Sequence, residues 1–206
     1  MINLLQSRRL QKYRMALLRF KKMGLRKTFS HSLSEETGIS AVLIRKDFSQ
    51  LGIRGRRRGG YDIDRLLDQL KAIFGSEKEQ NVILVGLGNI GSALVKYEGY
   101  RQGNMNLVAA FDIDPAKRTR RYQVPVYSLE NLRDVTDTFD VSVAILAVPE
   151  FSAQETASYL VENGIKGILN FAPVLLKVPG HVLVNNINVM VELERLMYHT
   201  GIKQKA

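Results

Sequence analysis

The sequence predicts an α/β chain in three parts: an N-terminal winged helix-turn-helix, a doubly wound parallel sheet, and a C-terminal helix. Three observations carry that prediction. Positive charge is concentrated at one end, a glycine-rich turn sits between a buried-strand pattern and a helix, and residues 187–200 carry an apolar stripe with no local partner.

The composition sets bounds first. With 206 residues, 45% hydrophobic and 24% charged, the chain can bury the core of one large or two small domains. Charges interrupt the N-terminal stretch before any long apolar run forms, and no apolar run reaches the length of a membrane span, so a cytoplasmic protein without membrane contact is expected. Cysteine is absent and His31, His181 and His199 are scattered, which excludes thiol switching and predicts no metal site. Residues 1–61 hold 15 Lys and Arg against 3 Asp and Glu, a net +12, whereas residues 62–206 hold 15 against 17, a net −2. Such a split suits one domain that neutralises phosphates and another that does something else.

The basic part reads as three helices and a wing. Over residues 9–23, Leu10, Tyr13, Leu17, Leu18 and Phe20 fall largely on one helical face, and Gly24 ends the run. A short helix over Ser32–Thr37, the turn Gly38-Ile39-Ser40 and a third helix over Ala41–Leu51, with Ser40 as its cap, have helix-turn-helix spacing. In the third helix Val42, Leu43 and Phe48 or Leu51 are expected inside, with Arg45, Lys46 and Ser49 outside to meet base edges and phosphates. The stretch Gly52–Tyr61, with Arg54, Arg56, Arg57 and Arg58 among its glycines, reads as a basic hairpin wing. Arg56, Arg57, Arg58 and Tyr61 therefore join Arg45, Lys46 and Ser49 as expected contacts to double-stranded DNA.

Residues 74–80 read as a polar connector, and Asn81–Val85 as a buried parallel strand. Gly86-Leu87-Gly88-Asn89-Ile90-Gly91 follows directly and opens a helix, which places the G-x-G-x-x-G fingerprint in its strand-turn-helix context. Gly86 is expected to make the turn, Gly88 to let backbone approach a pyrophosphate and Gly91 to allow close packing. The strand Leu107–Phe111 ends in Asp112, 21 residues after Gly91, suited to accept hydrogen bonds from adenosine ribose hydroxyls. This is a Rossmann pattern for NAD(H); a carboxylate there repels a 2′-phosphate, and Arg118, Arg120 and Arg121 are taken as surface charges. Strands at Val141–Ala147 and Gly167–Asn170, around a helix near Ala153–Asn163, continue the alternation, and Ala147, Val148 and Pro149 leave a strand end where such sheets bind ligands. The expected domains are 1–76, 77–184 and 185–206.

Several blocks now occur together: Ile44-Arg45-Lys46-Asp47-Phe48-Ser49, the wing Gly52, Gly55 and Gly60-Tyr61, Gly86–Gly91 with Tyr97, Ala144–Pro149 and Gly164–Pro173. In these blocks, spread over both main parts, the chain resembles the Rex family of NADH-responsive transcriptional repressors. The resemblance implies a homodimer whose C-terminal helices are exchanged between subunits, two winged heads on a palindromic operator, and release of DNA when NADH rather than NAD+ is bound. It also implies a cofactor-linked Arg/Asp/Tyr network, of which this sequence keeps Tyr97. Met15 stands where the family has arginine, Asn188-Val189 where it has Asp and an aromatic or large apolar residue, and Arg58-Gly59 where glycine and an apolar residue are common. A neutral Met15 and Asn188 cannot form an ion pair, so a weakened or retuned cofactor response is expected, with a hydrogen bond from Asn188 to Tyr97 still open.

Two other functions can be set against these residues. A small NAD-dependent dehydrogenase needs a positioned proton donor, yet no tyrosine is followed four residues later by lysine, and the residues after the Rossmann part are too few for a substrate domain. A constitutive DNA-binding regulator would share the fold but not respond to the NADH/NAD+ ratio.

Overall fold

The computed structural model describes residues 3–56, 59–74, 79–102 and 104–201. The chain divides into two compact units, Met1–Lys78 and Glu79–Ala206.

In the first unit, helix α1 spans Leu4–Lys22, and the Asn3 side chain caps it by accepting from Gln6 N at 2.8 Å. The expected stripe is buried at Leu10, Tyr13, Leu17 and Phe20. A two-residue strand β1, Lys27–Thr28, precedes α2, Ser30–Thr37, which Gly38 ends in the left-handed region at φ 70°. Helix α3 spans Ala41–Gln50, and Ser40 caps it by accepting from Leu43 N at 3.3 Å. Its inward row corrects the expected one. Ile44 and Phe48 are buried together with Asp47, while Val42 is 68% exposed, because the row that faces α1 is set by the Ile44 and Phe48 spacing of one helical turn.

The expected wing takes a specific form. Arg56 and Gly60 make a single antiparallel bridge, and strand β2, Tyr61–Asp62, pairs with β1 at the base. Arg57 and Arg58, expected among the contacts to DNA, lie outside the described residues. Helix α4, Ile63–Ile73, then closes the unit with Ile63, Leu66 and Leu70 buried, its cap made by Asp62, which accepts from Arg65 N at 3.0 Å.

The second unit contains strand β3, Gln80–Val85, helices α5, Asn89–Val95, and α6, Gly99–Gln102, and strand β4, Met105–Phe111. Helix α7, Pro115–Thr119, strand β5, Val126–Tyr127, and helix α8, Leu132–Phe139, follow. Strand β6, Val143–Leu146, helix α9, Glu150–Glu162, strands β7, Gly167–Asn170, and β8, Leu183–Asn186, and helix α10, Val189–His199, complete it. The sheet order is β5-β4-β3-β6-β7-β8, all parallel, with its switch point between β3 and β6. Alternate residues of β3 face opposite layers. Ile83 and Val85 pack with Leu132 and Val135 of α8 and Ala153, Ala157 and Leu160 of α9, whereas Val82 and Leu84 pack with Val95 of α5.

Strand β8 carries the sheet past residue 184, where the sheet domain was expected to end. Beyond it α10 buries none of its residues, and its stripe of Val189, Met190, Leu193, Leu196 and Met197 is exposed.

Candidate functional site

On the first unit, Arg45, Lys46 and Ser49 are exposed along one side of α3, as a base-reading face requires. The Arg45 guanidinium donates to Ser30 Oγ of α2 at 3.0 Å, which orients it before any ligand arrives. Arg56 is exposed at the wing bridge. Tyr61 is half-buried and its ring meets Phe48 edge-on at 5.1 Å, so it joins the wing base to the recognition helix. Gly55 lies against that ring, where a Cβ would stand 2.9 Å from a Tyr61 carbon.

On the second unit, a cavity of about 500 Å³ opens at the carboxyl ends of β3, β4 and β6, a volume within the range of small-molecule sites. The structure brings Gly86, Gly88, Asn89, Ile90, Asp112, Ala147, Val148 and Pro149 together around it. Gly86 turns the chain at φ 94°, and its backbone N donates to Phe111 O at 2.8 Å. At Gly91 an added Cβ would run into the Gly86 carbonyl, so this glycine serves packing behind the cavity. Gly88 is different, since a Cβ there would meet nothing within 4 Å. That open space beside exposed backbone fits a pyrophosphate. Tyr97 is not among the cavity's lining residues. It is 60% exposed and packs edge-on against Tyr100 at 5.4 Å.

Asp112 is buried at the strand end, and its carboxylate is already engaged. Oδ2 accepts from Leu87 N at 2.7 Å and Lys117 Nζ at 3.1 Å, and Oδ1 accepts from Asp114 N at 2.9 Å. Burial alone would raise its pKa, but the backbone N–H groups of Asp114 and Leu87 and the Lys117 ammonium hold it below the ordinary carboxylate value. It is therefore an anion at neutral pH, with oxygen lone pairs left for a ribose hydroxyl.

Sequence reasoning missed Lys117, Ile113, Leu129, Phe151, Ser152 and Thr156, all of which line the cavity. Their signal was positional: Ile113 follows Asp112 directly, and Phe151 and Ser152 stand in the first turn of α9 after the Val148-Pro149 strand end. At the next strand end, buried Asn170 donates to Val174 O and Asn186 Oδ1, each at 2.8 Å, and accepts from Ala172 N at 2.9 Å. It fixes the Phe171-Ala172-Pro173 loop. Asn188 Oδ1 accepts from Met190 N at 3.0 Å and Val191 N at 3.3 Å as the cap of α10. Met15 is 70% exposed.

A family model described as a putative DNA-binding protein N-terminus matches residues 7–49, and one described as a CoA binding domain matches residues 77–174. Fold and sites together define a DNA-binding regulator that carries a dinucleotide-binding domain. The chain is 38% identical over 181 residues to the redox-sensing transcriptional repressor Rex of Oenococcus oeni, covering 85% of this chain and 82% of that one. It is 39% identical over 193 residues to the protein of the same name from Lactobacillus acidophilus, covering 93% and 92%. Among solved structures, RSP in complex with β-NAD+ and operator DNA aligns with a TM-score of 0.90 at 32% identity, covering 99% of this chain and 94% of that one. RSP in complex with β-NADH aligns with a TM-score of 0.85 at 32% identity, covering 99% and 96%. The chain belongs to the Rex family of redox-sensing transcriptional repressors. It is a regulator and not an enzyme, although its second unit has the doubly wound strand order of dinucleotide-binding folds.

Proposed function

We propose that this chain represses transcription in the cytoplasm as a homodimer that binds a palindromic operator and lets go when NADH, rather than NAD+, binds between the strand ends of β3, β4 and β6. The observation that carries this reading is the presence on one chain of an exposed basic recognition face and a cleft floored by Gly88 and walled by Asp112. Its solved relative RSP is described both with β-NAD+ and operator DNA and with β-NADH, which supports the same pair of ligands here. In this reading Arg45, Lys46, Ser49 and the wing residues Arg56, Arg57, Arg58 and Tyr61 meet DNA. Asp112 takes the ribose hydroxyls, and the backbone at Gly88 approaches the pyrophosphate. Domain 1–76 would read DNA, 77–184 together with the end of β8 would bind NAD(H), and the rest of 185–206, with α10, would join the subunits.

Sensing requires that NADH bind the DNA-incompetent dimer more tightly than the DNA-competent one, because a ligand moves an equilibrium only by its differential affinity. A nearly complete switch needs a preference of about 10⁴-fold. The test is fluorescence anisotropy at fixed salt on a palindromic duplex that the chain selects from a randomised pool, titrated with NADH and separately with NAD+. Release by NADH alone is expected. Tight binding indifferent to both would leave a constitutive regulator and overturn the sensor.

A further inference from the structure

The side chains expected to meet DNA leave α3 on one side, and a carboxylate leaves it on the other. At about 100° per residue, Arg45 and Ser49 each stand about 160° around the helix from Asp47. Asp47 is 1% exposed. Its carboxylate accepts from Arg9 Nε at 2.7 Å, Arg9 Nη2 at 2.7 Å, the Tyr13 hydroxyl at 2.9 Å and Gln6 Nε2 at 3.4 Å, all from α1. Gln6 Nε2 also donates to Gln50 Oε1 at 3.1 Å, at the last residue of α3. The lock reaches further, because the Tyr13 ring meets Phe48 edge-on at 5.5 Å and Phe48 meets Tyr61 of the wing base.

Apolar contacts through Ile44 and Phe48 seat α3 but are not directional, so by themselves they tolerate a small slide or rotation. A two-pronged guanidinium–carboxylate contact does not. A buried pair of this kind adds little net stability over well-packed apolar residues of similar volume. What it supplies here is an angle.

We propose that Asp47 is a positioning residue for DNA recognition: locked to Arg9 and Tyr13, it sets the rotation of α3 and so the direction in which Arg45, Lys46 and Ser49 leave the head. This rests on the reading that the head binds operator DNA. Burial alone would raise the Asp47 pKa, yet the hydrogen bonds from Arg9 and Tyr13 outweigh it and keep the carboxyl below its ordinary value, so the lock is charged at neutral pH.

Three full-chain variants test it: the paired apolar replacement Arg9→Met with Asp47→Leu, which conserves net charge, Asp47→Asn and Asp47→Glu. Each is bound to the selected operator and to a scrambled duplex of equal length by anisotropy at one salt concentration, with thermal unfolding followed by circular dichroism. The apolar pair leaves the buried Tyr13 hydroxyl without its acceptor and is expected to unfold cooperatively at a temperature somewhat below the parent's, and to bind the operator about tenfold more weakly while its affinity for the scrambled duplex changes by less than about threefold. Asp47→Glu, which keeps the carboxylate, is expected to bind the operator better than Asp47→Asn. Operator affinity like the parent's, or an equal loss on both duplexes, overturns the inference. Should the apolar pair fail to fold, Asp47→Asn decides by the same two criteria. A parent chain that does not distinguish the two duplexes defeats the DNA-binding reading itself, and the role of Asp47 with it.

Discussion

Gly86 and Gly88 stand two positions apart in one turn and call for opposite outcomes on substitution. At Gly86 the φ of 94° and the Ala147 carbonyl 2.5 Å from an added Cβ mean that Gly86→Ala strains the turn itself, at an expected ~1–3 kcal/mol read as a lower Tm. At Gly88 the φ is −67° and the space is open, so Gly88→Ala is expected to keep the parent's Tm and to weaken NADH binding about tenfold in a nucleotide-fluorescence titration. NADH binding like the parent's would move the pyrophosphate away from this backbone. Lys117 adds a second expectation at the same site. It is the cation paired with Asp112, so Lys117→Ala leaves a bare carboxylate facing any 2′-phosphate, and the ratio of NADPH to NADH dissociation constants should rise about threefold or more. An unchanged ratio would show that Lys117 faces away from that position. Asp47 and Asp112 both contribute to the acid limb of unfolding, since both have folded pKa values below the ordinary one. The stability they contribute is complete above the unfolded carboxylate value of about 4 and is lost as pH falls through it toward the folded value. Asp47→Asn should flatten that limb in a pH series of thermal melts, and an unchanged limb would deny the carboxylate this share of stability.

Among the elements, those with long periodic patterns were legible in the sequence. The stripe Leu10, Tyr13, Leu17 and Phe20 defined α1, and the apolar runs ending at Val85 and Phe111 defined the two strands that frame the glycine turn. What escaped was short or indirect. β5 has two residues and β8 four, and neither offers a period long enough to read, while the β1–β2 pair joins residues that are distant in the chain. The phase of α3 was misjudged at Val42 because a ten-residue helix with five apolar side chains admits more than one inner face, and the contact with α1 chooses among them. Lys117 and Phe151 line the cavity only because α7 and α9 start over strand ends, a consequence of topology and not of local pattern. The expected dimer also belongs to this scale. Leu193 and Leu196 of α10 are 47% and 56% exposed, and changing both to Asp should convert a dimer into a monomer in light scattering; an unchanged mass would remove α10 from the interface.

For the molecule as a whole, the question is how binding in one unit is felt by the other. Met15 is exposed and Asn188 is committed to capping α10, so neither side chain supplies the charge that the family resemblance assigns to these places. Replacing them together, Met15→Arg with Asn188→Asp, should lower the NADH concentration for half-release of operator by about tenfold, within the usual range of coupling energies. Equal concentrations for parent and variant would place the coupling elsewhere. One more consequence lies in the order of the strands. β3 is the centre of the sheet, yet Val82 waits for Val143 as its partner, so the sheet closes only when most of the chain exists. The head closes on itself within the first unit, α1 packing on α4, and is complete well before that point. During synthesis from the N-terminus, the part that would touch DNA therefore folds before the parts that would hold NAD(H) and join the subunits.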